Sequence, residues 1–466
     1  MKRTLNLIKN HQADFVHFRF IDINGQWHDI TYHVSMINDE LMTKGLMFDG
    51  SSLPGWKNIE NSDMILRPDD QTACIDAFKE VPCISVICNV IDPATDDLYT
   101  RDPRSTMIRA EQFLKNTGIA DEAFFGPEPE FFIFDKAHYS TDPEFSFFKI
   151  SSEENPSFSK DITNAESFLH HAPHKGSYCS LSPKDMGNDM RSRMLLAMFD
   201  YGIPIEKHHH EVATSQHELG IKFATPLKAA DYVCHFKQIV KEVALSYSKV
   251  ATFMPKPVSN DNGSGMHVHQ SLFKNGENLF SGDDYAGLSR LALYYIGGIL
   301  KHGKALNALT NPTVNSYRRL VPGFEAPTLA VYSAKNRSAA CRIPHTLSAK
   351  SKRIETRFPD PSCNPYLAFS AMLMAGIDGI IHQIDPGMHF EKNLYSLSQD
   401  ELKTLPSLAT SLGDALKSLD EDRTFLLAGN VFTNDQIDAY IAIKKEEEKS
   451  FIYGPTPKDY ELYFSC

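Results

Sequence analysis

The stretch FGPEPEFFIF, residues 125–134, sets two glutamates one residue apart, places a proline before each, and continues into an apolar run. The apolar run predicts a buried β-strand, and alternate side chains of a strand share a face, so Glu128 and Glu130 should project together. Two carboxylates that leave water side by side repel each other and lose hydration, and they therefore need cations or protons. The alternative is a strand entrance whose glutamates stay in solvent, and the pair alone does not decide.

The composition of the whole chain is that of a large globular protein. Its 466 residues are 42% hydrophobic and 23% charged, enough for one large domain with a smaller one, or for three modest domains. The net charge of −12 argues against nucleic acid or a membrane surface as a partner, because both attract basic surfaces. We therefore expect small-molecule substrates.

The lack of a signal-peptide pattern and the spacing of the cysteines predict a cytoplasmic protein. The N-terminus lacks the continuous apolar core of a signal peptide, and apolar segments such as LALYYIGGIL are shorter than a membrane span. The eight cysteines show no Cys-x-x-Cys spacing, which favours buried reduced thiols over zinc ligands or a disulfide framework.

Hydrophobic periodicity divides the chain into two regions. Residues 15–35 alternate apolar and polar side chains around Asn24-Gly25, a pattern typical of a β-hairpin, and further strand-like segments follow. Helical periodicity begins at Pro103, after which strands alternate with long helices. We predict a small β-rich domain over 13–100 and a larger α/β catalytic domain over 105–466.

A second pair of carboxylates lies in IPIEKHHHEVATSQHELGIKFA, residues 203–224. The segment is typical of two strands joined by a short polar turn, with Glu211 and Glu218 beside the turn where their side chains could converge. A surface hairpin with solvated charges and three unrelated histidines is the alternative.

Two further segments add imidazoles and another carboxylate. NGSGMHVHQSLF, residues 262–273, places His267 and His269 on one strand face, although a lone buried histidine is usually structural. SKRIETRFPD, residues 351–360, places Glu355 on a strand face between two arginines.

Together these segments supply five carboxylates and one imidazole, a set suited to two hard divalent cations. Magnesium or manganese fits best, because a structural zinc site would want cysteine or more histidine and calcium usually occupies an acidic loop. The set consists of Glu128, Glu130, Glu211, Glu218, His267 and Glu355.

One region reverses the acidic character of the chain. Residues 318–357 contain six arginines and three lysines against two glutamates, a net charge of +7. Arginine binds carboxylate and phosphate through paired N–H donors, so cations beside this region suggest phosphoryl transfer from a nucleotide. A solvated basic face is the alternative, but three prolines favour loops over one charged helix. GILKHGKA, residues 298–305, lacks the Ser or Thr of a P-loop.

The whole chain resembles the bacterial type I glutamine synthetases, in the subclass regulated by adenylylation. The matching motifs follow in family order: FDGSS (48–52), FGPEPEFF (125–132), HHHEVA (208–213), NGSGMHVHQS (262–271), NPTVNSYRRLVPGFEAP (311–327), NRSAACRIP (336–344) and RIETRFPDPSCNPYLAF (353–369). The resemblance implies an α+β fold, with an N-terminal β-grasp domain before a larger α/β catalytic domain of the glutamine synthetase/guanido kinase type. It also implies a dodecamer of two stacked hexameric rings whose active sites are shared between neighbours.

The implied activity is ATP-dependent ligation of ammonia to L-glutamate through γ-glutamyl phosphate, giving glutamine, ADP and phosphate. Two Mg²⁺ or Mn²⁺ ions per subunit are implied, the first held by Glu130, Glu211 and Glu218, the second by Glu128, His267 and Glu355. The implied catalytic residues are Asp49 of a neighbouring subunit, Tyr178, Glu325 and Arg337. Glutamate would contact Glu130, Asn262, Gly263, His267, Arg319, Glu325, Arg337 and Arg357. The nucleotide would contact Glu206, Phe223, His269, Ser271, Arg337, Arg342, Lys350 and Arg353.

The resemblance also implies a modification at Tyr395, in EKNLYSLSQDEL. This tyrosine precedes a helix start, because Ser398 and Glu401 have capping-box spacing. Packing on its leucine neighbours is the alternative that local sequence favours. In the subclass that the chain resembles, the equivalent tyrosine receives AMP from an adenylyltransferase.

One position departs from the family pattern, and two other functions stay open. Many relatives have glycine at the position of Ser215; a positive φ there would strain the serine and could displace Glu218. The chain could be a γ-glutamyl ligase that uses a polyamine or another amine, or a non-catalytic structural relative. Asp49, Tyr178 and Glu325 favour ammonia, and the complete set of metal ligands argues against lost catalysis.

Overall fold

The computed structural model describes residues 2–142, 144–154, 170–392, 394 and 397–465. Tyr395, the predicted modification site, lies outside these residues, whereas the predicted capping box of Ser398 and Glu401 is present. Within the described part of the chain, no helix combines the length and the apolar character that a membrane span requires.

The N-terminal part forms a six-stranded sheet. The predicted hairpin is confirmed, because β1 pairs antiparallel with β2 on either side of Asn24-Gly25. The strand order is β2-β1-β6-β4-β3, with β5 on β6. The elements are α1 (Lys2–His11), β1 (Phe15–Ile21), β2 (Trp27–His33), α2 (Asp39–Lys44), β3 (Leu46–Asp49), β4 (Asp63–Pro68), β5 (Cys74–Ile75) and β6 (Cys83–Ile91).

A nine-stranded sheet follows, in the order β10-β11-β7-β13-β17-β16-β15, with β12 on β7 and β14 on β13, while β8 and β9 form a separate hairpin. The strands are β7 (Glu122–Phe134), β8 (Lys136–Asp142), β9 (Phe145–Ser151), β10 (Ile205–His210), β11 (Gln216–Ile221), β12 (Val250–Thr252), β13 (Met266–Lys274), β14 (Glu277–Asn278), β15 (Tyr332–Ala334), β16 (Cys341–Ile343) and β17 (Ile354–Thr356). The helices are α3 (Pro103–Thr117), α4 (Asn188–Asp200), α5 (Pro226–Ser246), α6 (Arg290–Lys301), α7 (Gly303–Thr310), α8 (Ser316–Arg319), α9 (Pro365–Ile381), α10 (Gln399–Lys403), α11 (Leu412–Glu421), α12 (Thr424–Leu427), α13 (Asn434–Tyr453) and α14 (Pro457–Tyr463).

β7 pairs with three strands in different parts of its length. It pairs with β13 over 122–129, with β11 over 130–132 and with β12 over 132–134. A proline cannot donate to a strand ladder and is tolerated where one side of the strand is unpaired. Pro127 and Pro129 pair with β13, and β11 begins to pair only at Glu130, so among the described residues the other edge of β7 has no partner strand at either proline.

Helices α6 and α9 pack closely behind the large sheet. A side chain at Gly376 of α9 would collide with the ring of Tyr295 on α6. The Tyr295 hydroxyl donates a hydrogen bond to the Gln270 side-chain oxygen on β13, at 2.7 Å. The absent side chain of Gly376 therefore lets α9 approach an aromatic ring that supports β13.

Residues 290–310 form two helices rather than one, because helical geometry is interrupted at His302 between α6 and α7. The imidazole of His302 lies between two carboxylates, with Nδ1 2.7 Å from Asp422 Oδ2 and Nε2 2.9 Å from Asp378 Oδ2. Partners 76 and 120 residues away hold the bend.

Arg104 joins the small sheet to helix α5 through a set of hydrogen bonds. From α3, its guanidinium donates twice to Asp231 on α5, at 3.0 Å each, and once to Asp69 beside the small sheet, at 2.8 Å. It also donates to the side chain of Asn89 on β6. Burial opposes the charged form, but the adjacent Asp231 outweighs it and raises the pKa of Arg104 well above its usual value.

We expect Arg104→Ala to lower the free energy of unfolding by about 3–5 kcal/mol, because Asp231 would keep a buried charge without its cation. Urea denaturation at one fixed protein concentration measures the change. Lys44→Ala, which removes an exposed pair with Glu40 on α2, is the control and should have little effect. Equal stability of the two variants would contradict the role assigned to Arg104.

Candidate active site

The register of the large sheet brings the predicted carboxylates to one place. Glu130 on β7 lies opposite Glu218 on β11, and Glu128 lies opposite His267 on β13. One strand further, His269 lies opposite Glu355 on β17. Residues directly opposite in an antiparallel pair share a face, so these side chains converge. They line one cavity of about 520 Å³.

One group of ligand atoms lies on the β11 side of this cavity. His209 Nδ1 is 3.4 Å from Glu211 Oε1, and His209 Nε2 is 3.3 Å from Glu218 Oε1. Their nearest ligand atoms all lie within 4.8 Å of one another, as a metal site requires. Glu130 completes the predicted set from the neighbouring strand, where its Oε2 accepts the Gly265 N–H at 2.8 Å.

A second group lies on the β13 side. Glu128, His269 and Glu355 also place ligand atoms within 4.8 Å of one another, and His269 Nε2 is 3.2 Å from Glu128 Oε1. His267, the imidazole of the predicted set, is adjacent, with Nδ1 3.8 Å from Glu355 Oε1. Both histidines therefore face the cavity; His269, predicted to contact the nucleotide, belongs to the second group, and the predicted ligand His267 lies next to it.

The two groups compensate their charge differently. Burial, with the charge of Glu218, raises the pKa of Glu130 to about 8, and burial, with the charges of Glu130 and Glu218, raises that of Glu211 to about 9. Burial alone would raise the pKa of Glu128 too, but the hydrogen bond from His269 lowers it to about 2. Such a concentration of carboxylates fits divalent cations, because cations would replace the protons that the raised pKa values indicate.

Arginines surround Glu355. Arg357 Nη1 donates to Glu355 Oε1 at 2.5 Å, and Arg342 donates to the other carboxylate oxygen. Although burial opposes the charged form, Arg357 and His269 hold the pKa of Glu355 well below its usual range. Arg353 donates to His269 Nδ1 at 3.3 Å. The cavity is thus lined both by carboxylates and by arginine side chains.

Arg319 is buried beneath the cavity rather than in its lining. Its guanidinium donates to the carbonyl oxygens of Phe358, at 2.8 Å, and Pro359, at 3.2 Å. A Cβ on Gly265 would lie 2.5 Å from Arg319 Nη2 and 3.0 Å from His267 Nε2, so only glycine fits between these side chains.

The described residues that line the cavity all lie between Glu128 and Arg357. The predicted residues among them are Glu128, Glu130, Tyr178, Glu211, Glu218, His267, His269, Glu325, Arg337, Arg342, Arg353, Glu355 and Arg357. Lining residues that the sequence reasoning missed are Lys207, His209, Val212, Pro344 and His345. The spacing of Lys207, His209 and Glu211 at every second position of a strand was the available signal for two of them.

The remaining predicted residues lie outside that lining. Asp49 ends β3 in the small sheet, where its carboxylate accepts hydrogen bonds from the Ser51 and Ser52 hydroxyls, at 2.6 Å each. Phe223 is 64% exposed, although its ring contacts Phe124 on β7. The others are Glu206, Asn262, Gly263, Ser271, Arg319 and Lys350.

Ser215 has the positive φ that the family pattern suggested, at 66°. Glu218 nevertheless stays opposite Glu130 and in the cavity lining. The serine therefore adopts the left-handed backbone without displacing the carboxylate.

Comparisons with known proteins identify the family of the chain. Residues 100–463 match the family model of the glutamine synthetase catalytic domain, and residues 12–93 match that of the glutamine synthetase beta-Grasp domain. A glutamine synthetase of Azotobacter vinelandii is 51% identical, with all of both chains covered. A 3-hydroxylaminophenol mutase of Cupriavidus pinatubonensis is also 51% identical, over 99% of this chain and 98% of its own.

A solved glutamine synthetase structure from Plasmodium falciparum superimposes with a TM-score of 0.90. It is 32% identical, and the match covers 98% of this chain and 96% of the other. The fold, the family models and the full-length similarity agree, and the chain therefore belongs to the glutamine synthetase family, in its bacterial type I branch.

Proposed function

We propose that this protein ligates ammonia to L-glutamate at the expense of ATP, through γ-glutamyl phosphate, and releases glutamine, ADP and phosphate. The supporting observation is a single cavity in which carboxylates of β7, β11 and β17 face a wall of arginines. Phosphoryl transfer needs both, because charge on the transferring group must be neutralised while the reactants are held in line.

Two divalent cations per subunit, Mg²⁺ or Mn²⁺, belong to the proposal. Glu130, Glu211 and Glu218 would hold the first, and Glu128, His267 and Glu355 the second, with His209 and His269 close enough to assist. The cations would supply positive charge to the phosphate oxygens of ATP and of the transferring group.

The side chains of the cavity have separate tasks in this proposal. Arg337 and Arg342 stabilise the moving phosphoryl group through N–H donors. Glutamate is oriented by Glu130, Asn262, Gly263, His267, Arg319, Glu325, Arg337 and Arg357. The nucleotide is held by Glu206, Phe223, His269, Ser271, Arg337, Arg342, Lys350 and Arg353, with the exposed ring of Phe223 available for stacking.

The second chemical step needs ammonia rather than ammonium. A negatively charged pocket attracts the ammonium ion, and Asp49 of a neighbouring subunit takes its proton, beside Tyr178, Glu211 and Glu325. The nitrogen lone pair then attacks the γ-carbonyl carbon, and the bond from this carbon to the phosphate oxygen breaks. The nitrogen loses a further proton to a cavity carboxylate, which leaves the amide and phosphate.

Family members are oligomeric, and we propose a dodecamer of two stacked hexameric rings. Large apolar side chains that an isolated subunit leaves in water support an assembly. They lie on or beside α13, α14, β8 and β9, and include Tyr139, Phe145, Phe148, Phe451, Ile452, Tyr453, Tyr460, Leu462, Tyr463 and Phe464.

Regulation, location and domain limits complete the proposal. An adenylyltransferase would transfer AMP to Tyr395. A cytoplasmic location is supported by the cysteines of the described residues, seven of which are free and six of those buried. The domain limits stay at 13–100 and 105–466.

Other reactions remain distinct candidates. The relative named as a mutase is as similar to this chain as the glutamine synthetase of Azotobacter vinelandii. Similarity therefore does not fix the reaction, and an amine other than ammonia is a second possible acceptor. The convergence of both metal-ligand groups in one cavity argues against a non-catalytic structural role.

With ATP, glutamate, ammonium and Mg²⁺, the purified protein should form glutamine and phosphate in equal amounts. Glu128→Ala and Glu355→Ala should each lower turnover by more than about 100-fold. Loss of a residue that supports a metal ligand already lowers activity by about 10–100-fold, and loss of the ligand itself should lower it further. Glutamine chromatography and a phosphate assay measure both products.

Glu122→Ala, at the exposed outer end of β7, is the matched control and should keep near-normal turnover. ATP-dependent product with putrescine but none with ammonium would overturn the choice of acceptor. Turnover of 3-hydroxylaminophenol without glutamine formation would overturn the proposed reaction.

The affinity of the first metal should rise with pH between about 6 and 9. Glu130 and Glu211 have raised pKa values, of about 8 and 9, and are protonated in the metal-free protein at neutral pH. Metal binding must displace these protons, so affinity falls as pH falls. Calorimetry in buffers of different ionisation enthalpy should detect release of about two protons per first-site metal at pH 7.

Glu211→Gln removes one of these acids, and the release should fall by about one proton. Glu128→Gln should leave first-site proton release unchanged, because the pKa of Glu128 is lowered to about 2. Metal binding without proton release at pH 7 would contradict the proposed first site.

Asp49→Ala and Arg337→Ala should each be inactive alone and recover activity after co-assembly. If each site draws Asp49 and Arg337 from different subunits, roughly a quarter of the sites in an equal mixture contain both. The glutamine assay on verified mixed oligomers measures the recovery.

Asp63→Ala, opposite Asp49 in the β3–β4 pair, is the control and should remain active. Mixed oligomers with no recovered activity would show that the site lies within one subunit.

A further inference from the structure

The turn between β10 and β11 carries the metal-ligand carboxylates on a strained backbone. Glu211 lies at its start, Glu218 lies beyond it on β11, and Ser215 between them has a φ of 66°. A left-handed backbone is unfavourable for serine, because its Cβ approaches the backbone, and such strain persists only where neighbours hold it.

Glu154, which follows β9, supplies that support. Its Oε2 accepts a hydrogen bond from the Ser215 N–H at 2.8 Å and lies 3.0 Å from His210 Nε2. Ser152 adds a hydrogen bond between its hydroxyl and that of Ser215, at 2.5 Å. The side chain of Glu154 is 13% exposed, so little water competes for these bonds.

Two further contacts connect Glu154 with the carboxylates. His210 Nδ1 donates to the backbone oxygen of Glu211 at 2.7 Å, so the imidazole bridges Glu154 and the backbone of a metal ligand. At the other end of the turn, Gln216 Nε2 donates to Glu130 Oε2 at 3.0 Å. A shift of Ser215 would therefore move both Glu211 and the amide that fixes Glu130.

A third cation is the competing explanation, since Glu154, His210 and His217 place ligand atoms within 4.8 Å of one another. However, both nitrogens of His210 already face acceptors, and His217 Nδ1 lies 2.9 Å from Arg191 Nη1. A fixed guanidinium repels a cation. The contacts fit a hydrogen-bonded support better than a metal site.

We propose that Glu154 is a positioning residue, which holds Ser215 in its left-handed conformation and so preorganises the carboxylates of the first metal. This inference rests on the proposed function of that metal site. Residues behind metal ligands typically change metal affinity by 10–100-fold when they are lost.

The test measures Mn²⁺ binding to the metal-free protein by electron paramagnetic resonance, without nucleotide, in the Glu128→Gln background that weakens the second site. We expect Glu154→Ala to weaken first-site binding by about 10-fold. At saturating metal, kcat of the same substitution in the otherwise unchanged enzyme should return to within about 3-fold of normal, because the ligands themselves remain.

Two variants distinguish positioning from general damage. Ser215→Gly in the Glu154→Ala protein should restore most of the lost affinity, because glycine adopts a positive φ without strain. Glu153→Ala removes the neighbouring residue, which is 62% exposed and pairs with Lys249, and should not change affinity. Glu154→Gln, which keeps an acceptor for the Ser215 N–H, should lose less affinity than Glu154→Ala.

The outcomes separate this inference from the proposed function. Unchanged affinity in Glu154→Ala, or no rescue by Ser215→Gly, would overturn the positioning role even if the enzyme makes glutamine. A third Mn²⁺ per subunit that disappears in Glu154→Ala would also overturn it, in favour of a metal site. A wild-type protein that binds no Mn²⁺ and makes no glutamine would instead refute the proposed function.

Discussion

Repulsion between carboxylates that converge on β7 is the constraint on which the architecture of the cavity depends. Glu128 and Glu130 enter a space that already contains Glu211, Glu218 and Glu355, where water cannot screen them well. On the β13 side, despite burial, histidine and arginine lower the pKa values of Glu128 and Glu355, which stay ionised. On the β11 side, the pKa values of Glu130 and Glu211 are raised, so these carboxylates hold protons at neutral pH. One strand thus faces two different electrostatic environments two residues apart.

The sheet makes this arrangement possible because β7 changes partner where the glutamates lie. β13 pairs with it up to Pro129, β11 pairs with it over 130–132, and β12 over 132–134. Prolines fit the part of β7 just before Glu130 because no described strand pairs with its second edge there and no N–H donor is needed. They also restrict the backbone next to each glutamate. The restricted backbone of β7 therefore sets where the side chains of Glu128 and Glu130 begin.

Much of this was predictable from local sequence, and the rest depended on distant partners. Alternation along strands predicted the hairpin at Asn24-Gly25 and the shared face of Glu128 and Glu130. His209 was missed because a run of three histidines hides the period of two that places it beside Glu211. Neither the break at His302 nor the support from Glu154 has a local signal, since their partners lie 56 to 120 residues away. The resemblance predicted the candidate site residues, but only the structure shows how Ser215 is accommodated.

The packing behind the sheet has a consequence for the face in front of it. Gly376 leaves room for Tyr295, and Tyr295 holds Gln270, which sits on β13 between His269 and Ser271. A methyl group at position 376 would overlap the Tyr295 ring and so disturb its hydrogen bond to β13, the strand that carries both cavity histidines. Sensitivity to substitution should consequently extend through the full thickness of the domain, to α9, which lies outside the cavity lining.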